Sequence, residues 1–142
     1  MKGYLGIDTS NYTTSTAVYC PEHDLVLQKK KLLPVPAGAL GLRQSDAVFH
    51  HTVQTSSTSG GAFSGIWRRN SRELPYSNAP RDAEGSYMPC FLAGMSAARA
   101  IASFLKVPLY FFSHQSGHIA AALYSAGRLS YFERPFYAFH VS

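Results

Sequence analysis

Charge is scarce in this chain. Asp, Glu, Lys and Arg make up 15% of its 142 residues, too few for a coiled coil or a charge-solvated disordered segment. Cysteine is scarcer: Cys20 and Cys90 are the only two. They are far apart, in neither a metal nor a redox spacing, and point to a reducing compartment. The 11 glycines follow no period, which excludes a collagen-like chain, and no internal repeat is visible. No run approaches the roughly 18 apolar residues of a membrane span, and Asp8 interrupts the start before a signal-peptide core can form. A soluble, cytoplasmic protein with no membrane partner is expected.

The chain does have apolar matter: 46% hydrophobic and 13% aromatic residues. At this length a domain buries roughly 70% of its unfolded surface, enough for a core without staples. The net charge of +5 is concentrated in Lys29-Lys30-Lys31 and in Arg68-Arg69 with Arg72. Such clusters attract phosphates but equally form solvated surface, so nucleic acid is permitted rather than required. The sequence closes on Phe136-Tyr137-Ala138-Phe139-His140-Val141-Ser142, a strand-type run without a cap or polar tail, which reads as a strand closing a sheet or one cut short.

Residues 3–8 read as a buried strand, 9–14 as a polar turn and 15–20 as the second arm of a hairpin. After a turn at 21–24, residues 25–32 read as an edge strand whose lysines mark a wet face. Pro34-Val35-Pro36-Ala37-Gly38 breaks the pattern, and Ser45 is placed to cap a helix over 46–55. The Ser, Thr and Gly cluster at 55–61, with Trp67 beyond, reads as a flexible connection extending to residue 72. A short strand at 74–77 and a loop at 79–85 lead to Pro89, where an interior helix begins whose apolar spacing runs to Leu105. Residues 107–112 read as a strand covered on both faces. Ser113 caps a final helix over 114–126, which Gly127 ends. The order β-β-β-α-β-α-β-α predicts an α/β fold: a mixed sheet with helices packed on it.

Two constellations can carry chemistry. His114-Gln115-Ser116-Gly117-His118 sets two histidines one turn apart on a helix face, a spacing that suits two imidazoles on one divalent metal and equally arises by chance on a helix surface. Their helix starts straight after a buried strand, which puts them at the carboxyl edge of the sheet, where ligands bind in open α/β folds. Gly6-Ile7-Asp8-Thr9-Ser10 ends a strand in small residues whose hydroxyls and backbone N–H groups can hold a phosphate, with Asp8 placed to position water or a cation; by itself it is also an ordinary polar hairpin. His23, His50, His51 and His140 have no evident partners in sequence, and Arg81 with Asp82 reads as a loop ion pair.

Taken together, these motifs resemble those of the universal tRNA threonylcarbamoyladenosine transferases, once called O-sialoglycoprotein endopeptidases or glycoproteases. Gly6-Ile7-Asp8-Thr9-Ser10 is similar to the family's opening Gly-Ile-Glu-Thr-Ser. Gly85, Gly94 and Ala98-Arg99 resemble its Pro-Gly…Gly…Ala-Lys helix, His114-Gln115-Ser116-Gly117-His118 its His-x-Glu-Gly-His metal motif, and His140-Val141-Ser142 the start of its phosphate loop. The matches run in order over the whole chain. The resemblance departs where Asn11-Tyr12-Thr13-Thr14 replaces a segment with two acids, where Ser116 replaces an acid, and where Glu84 replaces a proline.

The resemblance implies an actin-like ATPase fold of the sugar-kinase and heat-shock type. Residues 1–135 would form one ribonuclease-H-like lobe, and 136–142 the first strand of a truncated second lobe. It implies one divalent metal ion, iron or zinc, on His114 and His118, with a distant Asp of the second lobe completing the site. Asp8 would be catalytic, orienting the nucleophile or meeting the leaving group. Thr9, Ser10, His140, Val141 and Ser142 would line the substrate loops. The substrates would be threonylcarbamoyl-adenylate, or another nucleotide, and tRNA, whose adenosine amine receives the threonylcarbamoyl group; this chain alone, with one wall of the cleft, would be inactive. The departures also suit a non-catalytic paralogue that acts as a dimer partner. A metallohydrolase is the third alternative, weakened by Ser116 standing where a general base is needed.

Overall fold

A computed structural model describes residues 3–59 and 71–140. Strands β1 (Gly3–Ser10), β2 (Thr13–Cys20) and β3 (Leu25–Leu32) precede helix α1 (Gln44–Ser59). Strand β4 (Ser71–Ala79), helix α2 (Phe91–Leu105), strand β5 (Leu109–Ser113) and helix α3 (His114–Ser125) follow, with short 3-10 turns at Pro21–His23 and Leu129–Glu133. The five strands form one sheet in the order β3-β2-β1-β4-β5. β1, β2 and β3 are antiparallel, whereas β4 and β5 run parallel to β1. A three-stranded meander extended by parallel crossover strands is thus the observed architecture, as the element order predicts.

Alternation along β1 and β2 assigns the two faces of the sheet. Leu5, Ile7 and Val18 join Leu74, Tyr76, Ala98 and Ala102 in the main core, and burying each large side chain contributes about 1.5–3 kcal/mol before the entropy of ordering it. The small residues of α2 let that helix lie close to β1. An added Cβ on Gly94 would stand 2.7 Å from Thr9 Oγ1 and 3.2 Å from Thr9 Cγ2. Helix α1 lies on the same face but is held by polar contacts. Thr14 Oγ1 meets His51 Nδ1 at 2.8 Å and donates to Gln54 Oε1, while Thr16 donates to the Thr58 carbonyl. Helix α3 lies on the opposite face, where His114 reaches Asp8.

Several expectations change. The connecting turn is only Asn11-Tyr12, Asn11 taking a left-handed φ of 31°. Thr9 and Ser10 therefore belong to β1, paired with Thr14 and Thr13. Ser45 is not the cap of α1. The helix starts at Gln44, and the Ala47 N–H bonds back to the Arg43 carbonyl. Residues 55–59 are helical rather than a connection, because Thr55, Ser56, Ser57 and Thr58 donate to carbonyls three or four residues back and so satisfy their hydroxyls within the helix. The rest of the supposed flexible connection, with Trp67, lies outside the described residues. β5 is an edge strand, not a strand covered on both faces: Phe111 is 70% exposed. α2 is likewise one-sided, with Phe104 79% exposed.

The Ser113 cap is as expected, accepting the Ser116 N–H at 3.1 Å, and Gly127 ends the last helix with a φ of 65°. β3 is the expected edge, with Lys30 and Lys31 exposed. Residues 136–140 carry no regular secondary structure. Among the described residues, no helix is long and apolar enough to cross a membrane. Cys20 and Cys90 are free and buried.

Candidate functional site

The carboxyl end of β1 meets the first turn of α3. Parallel pairing of β1, β4 and β5 brings their carboxyl ends to one edge, and Ser113, the last residue of β5, caps the helix that follows at once. His114 and His118 therefore stand over the sheet beside Asp8. The imidazole Nδ1 of His114 lies 3.2 Å from Asp8 Oδ2, and the two Nε2 atoms of His114 and His118 lie 2.8 Å apart. The rings meet edge to face, centroids 4.3 Å apart. The ring of His140 stands 5.4 Å from that of His118, so His118 lies between the other two imidazoles.

Asp8 is saturated with donors. Ser10 donates to Oδ2 at 2.8 Å, where His114 also arrives, and Ser77 donates to Oδ1. Burial opposes ionisation of this carboxyl. The hydrogen bonds from His114 and Ser77, the imidazole's charge and the Ser10 bond outweigh it, so Asp8 titrates below its ordinary value. With a carboxylate on Nδ1, His114 carries its proton there and turns the Nε2 lone pair outward. His118 Nε2–H then donates to that lone pair. Burial, followed by the charges of His114 and His140, lowers the His118 pKa against the opposing pull of Asp8. For both Nε2 atoms to bind a metal, the His118 proton would have to move to Nδ1, a tautomer open to a neutral imidazole.

The donor set fits a divalent ion of the zinc or iron type. Two ring nitrogens converge, and a half-buried carboxylate backs one of them, the arrangement that metal-ligating histidines favour. Two nitrogens on one tetrahedral zinc stand about 3.3 Å apart, so the pair needs to open only slightly. Among the described residues, no set of three or more His, Cys, Asp or Glu is arranged to hold a metal by itself. His114 and His118 would therefore supply at most two of the four ligands of a tetrahedral ion.

The other predicted residues separate. Ser10 joins Asp8 on the α3 face. The Thr9 side chain does not line a substrate loop: strand alternation turns it to the opposite face, where it is fully buried, donates to the Cys90 carbonyl and accepts the Gly94 N–H. Thr9 and Ser10 lie in the β1–β2 ladder rather than in a phosphate-holding turn. Val141 and Ser142 lie outside the described residues. His140 lies by His118, in the wall of a cavity of about 490 Å³ together with Tyr131 and Phe136. Ser116, the residue between the histidines, donates to Asp82 at 2.6 Å, as Ser113 does at 2.8 Å, so Asp82 anchors the start of α3.

Sequence reasoning missed Ser77 and the anchoring role of Asp82. Ser77 becomes visible only in the register that sets Ile7 beside Tyr76; a serine at a strand end carries no signal of its own. His51, without evident partners in sequence, is fully buried, and its Nε2 has no hydrogen-bond partner. Burial lowers its pKa.

A five-stranded mixed sheet of order β3-β2-β1-β4-β5 with helices on both faces defines a ribonuclease-H-like lobe of the actin-like ATPase fold, and the site sits at the carboxyl edge of its central strand. Among solved structures the chain is similar to YeaZ from Pseudomonas aeruginosa, with a TM-score of 0.59 at 13% identity over 89% of this chain and 51% of that one. It is also similar to an uncharacterized protein described as having similarity to peptidase YeaZ from Pseudomonas aeruginosa, with a TM-score of 0.53 at 15% identity over 89% of this chain and 50% of that one. The chain thus spans about half the length of these structures. No family model and no curated protein matches its sequence.

Proposed function

We propose that this chain is the first lobe of a protein related to the threonylcarbamoyladenosine transferases, and that the intact protein transfers a threonylcarbamoyl group from its adenylate to a tRNA adenosine. The observation that carries this reading is the Asp8–His114–His118 constellation, with Nε2 atoms 2.8 Å apart and a carboxylate on His114 Nδ1. The likeness to the YeaZ structures supports it at the level of the fold, and the ordered motifs support it at the level of sequence. In this reading residues 136–142 lead into a second lobe that supplies the far wall of the cleft and the third ligand.

His114 and His118 would hold iron or zinc, which when bound supplies a Lewis acid that polarises an acyl-adenylate and fixes its position. Asp8 keeps its charge, holds the His114 proton on Nδ1 and is itself oriented by Ser10 and Ser77; this is positioning work, with no free lone pair needed for proton abstraction. His140 brings a third imidazole beside His118. A hydrolase has less support. Ser116 is committed to Asp82, and an Asp8 held below its ordinary pKa is a poor general base.

A non-catalytic dimer partner is the second reading, favoured by Asn11-Tyr12-Thr13 and Ser116 standing where the resembled family carries acids. Incubating the full-length protein with tRNA, threonylcarbamoyl-adenylate and the partner transferase components, followed by nucleoside mass spectrometry, separates the two. Threonylcarbamoyladenosine that disappears with His114→Ala supports transfer. Product that depends only on the partner's own histidines supports the second reading and overturns the first.

A further inference from the structure

Helix α1 is seated on the sheet mainly by polar contacts. Among its described residues the buried ones are Ala47, His51, Gln54, Thr55 and Thr58, one small apolar side chain and four polar ones, whereas Phe49 and Val53 are exposed. A cavity of about 520 Å³ opens between α1 and α2, lined by Val48, Thr52, Thr55, Leu92, Ala97 and Ile101, among others. Hydrophobic burial therefore contributes little to the docking of α1, and its hydrogen bonds decide whether it stays.

Those bonds run in one direction. The Leu32 carbonyl can only accept, so it receives the Gln54 amide N–H at 3.2 Å and leaves Gln54 Oε1 toward Thr14. Thr14 gives its single hydroxyl proton to that oxygen at 3.1 Å, and 2.8 Å from His51 Nδ1 it must then accept. His51 thereby carries its proton on Nδ1 and a bare lone pair on Nε2, which is buried without a hydrogen-bond partner. A second proton can only go to Nε2, where it makes a buried donor without an acceptor and a buried charge together. Burial is the largest influence on His51 and lowers its pKa; His50 acts in the same sense, and the Asn11 backbone and Asp8, from the other face of the sheet, pull the opposite way without prevailing. Cys90, at the N-cap of α2, adds no charge, because burial raises its thiol pKa. Lys29 and Lys31 of β3 pair with Thr16 and Thr14 and so stand on the α1 face, where they oppose a further cation.

We infer that α1 is a proton-released helix: protonation of His51 lifts Gln44–Ser59 off the sheet while the strands and α2 stay folded, and uncovers the Cys90 thiol. The other ties of α1 are single hydrogen bonds near its ends: Cys90 N–H to Gln44 Oε1 at 3.3 Å, Thr16 to the Thr58 carbonyl at 3.0 Å and Lys29 to the Ser57 carbonyl at 2.7 Å. The main core of Leu5, Ile7, Val18, Leu74 and Ala98 contains no buried residue of α1, so it survives the release. Cys90 does not keep its cover, because it packs with Ala47 of α1 in the small second cluster. Cys20 belongs to the main core and stays buried. Proton concentration thus sets access to one of two buried thiols, through a helix whose opening is local.

Hydrogen exchange of the whole chain at about pH 7.5 and about pH 5.5, corrected for intrinsic amide exchange and resolved by peptide, tests this. Labelling of Cys90 and Cys20 with 4,4′-dithiodipyridine, relative to an unstructured cysteine peptide, gives a second readout. Opening takes up one proton below the ordinary imidazole pKa of about 6.5, so protection of residues 44–59 should fall about tenfold between the two conditions while that of α2 stays unchanged. Cys90 labelling should accelerate by a similar factor and Cys20 should stay protected. His51→Gln keeps a polar side chain that takes up no proton and should remove both changes, with His51→Asn as the second variant should it fail to fold; His50→Gln should keep them. Equal protection of α1 at both pH values, a change that survives His51→Gln, or loss of protection in α1 and α2 together overturns the inference.

Discussion

Gly94→Ala should destabilise the protein although it improves a helix. Alanine in a helix interior is favoured over glycine by about 1 kcal/mol. Here the new methyl carbon would stand 2.7 Å from Thr9 Oγ1 and 3.2 Å from Thr9 Cγ2. Thr9 is fully buried, and its hydroxyl both donates to the Cys90 carbonyl and accepts the Gly94 N–H. Rotating it away forfeits both bonds, at about 1–3 kcal/mol, and separating α2 from β1 instead costs about 1–3 kcal/mol in packing. Set against that helix gain of about 1 kcal/mol, the net effect is a loss of about 1 kcal/mol, or roughly 3–4 °C in Tm for a domain of this size. Thermal unfolding followed by circular dichroism measures it. In the Thr9→Ala background both obstructing atoms are gone, so adding Gly94→Ala should then stabilise by about 1 kcal/mol, a coupling of about 2 kcal/mol. A Tm for Gly94→Ala at or above that of wild type would refute the close approach of α2 to β1.

Four further outcomes follow from the site and its supports. Asp8→Asn leaves His114 without its carboxylate and should weaken zinc binding by about 10–100-fold at little cost to the fold, measured by competition with a chelating dye. Ser77→Ala removes a donor that orients Asp8 and should weaken zinc in the same direction, but less. Ser113→Ala deletes the cap of α3 and should cost about 1 kcal/mol in urea unfolding. His51 is buried neutral with its pKa lowered from the ordinary 6.5. The folded state therefore binds fewer protons than the unfolded one, and stability should be full above pH 6.5 and fall as pH drops below it; His51→Gln should flatten that slope between pH 6.5 and 5.

What the sequence made legible was periodic or local. The alternation of residues 3–8 and 15–20, the lysines of β3, the Ser113 cap and the Gly127 stop each act within a few residues, and each has its expected role in the structure. The helical spacing of His114 and His118 likewise predicts that their rings meet, because i and i+4 lie one turn apart. The failures are tertiary. Residues 55–59 look like loop by composition, and only bonds from their hydroxyls to the preceding turn, together with Thr16 on the Thr58 carbonyl, make them helix. Thr9 looks like part of a phosphate loop until the hairpin proves two residues longer and strand alternation turns it inward. The apolar run ending at Phe112 is indistinguishable in sequence from a covered strand, yet it forms the sheet edge. Ser77 acquires meaning only from a register that joins distant segments.

The most direct test of the account is a zinc titration followed through the imidazole C–H resonances of His114 and His118. The account predicts saturable one-to-one binding that shifts both histidines together, releases the hydrogen bond between their Nε2 atoms, and is abolished by either His114→Ala or His118→Ala. Zinc that leaves both resonances unmoved, or binds either single variant as tightly as the wild type, would contradict it.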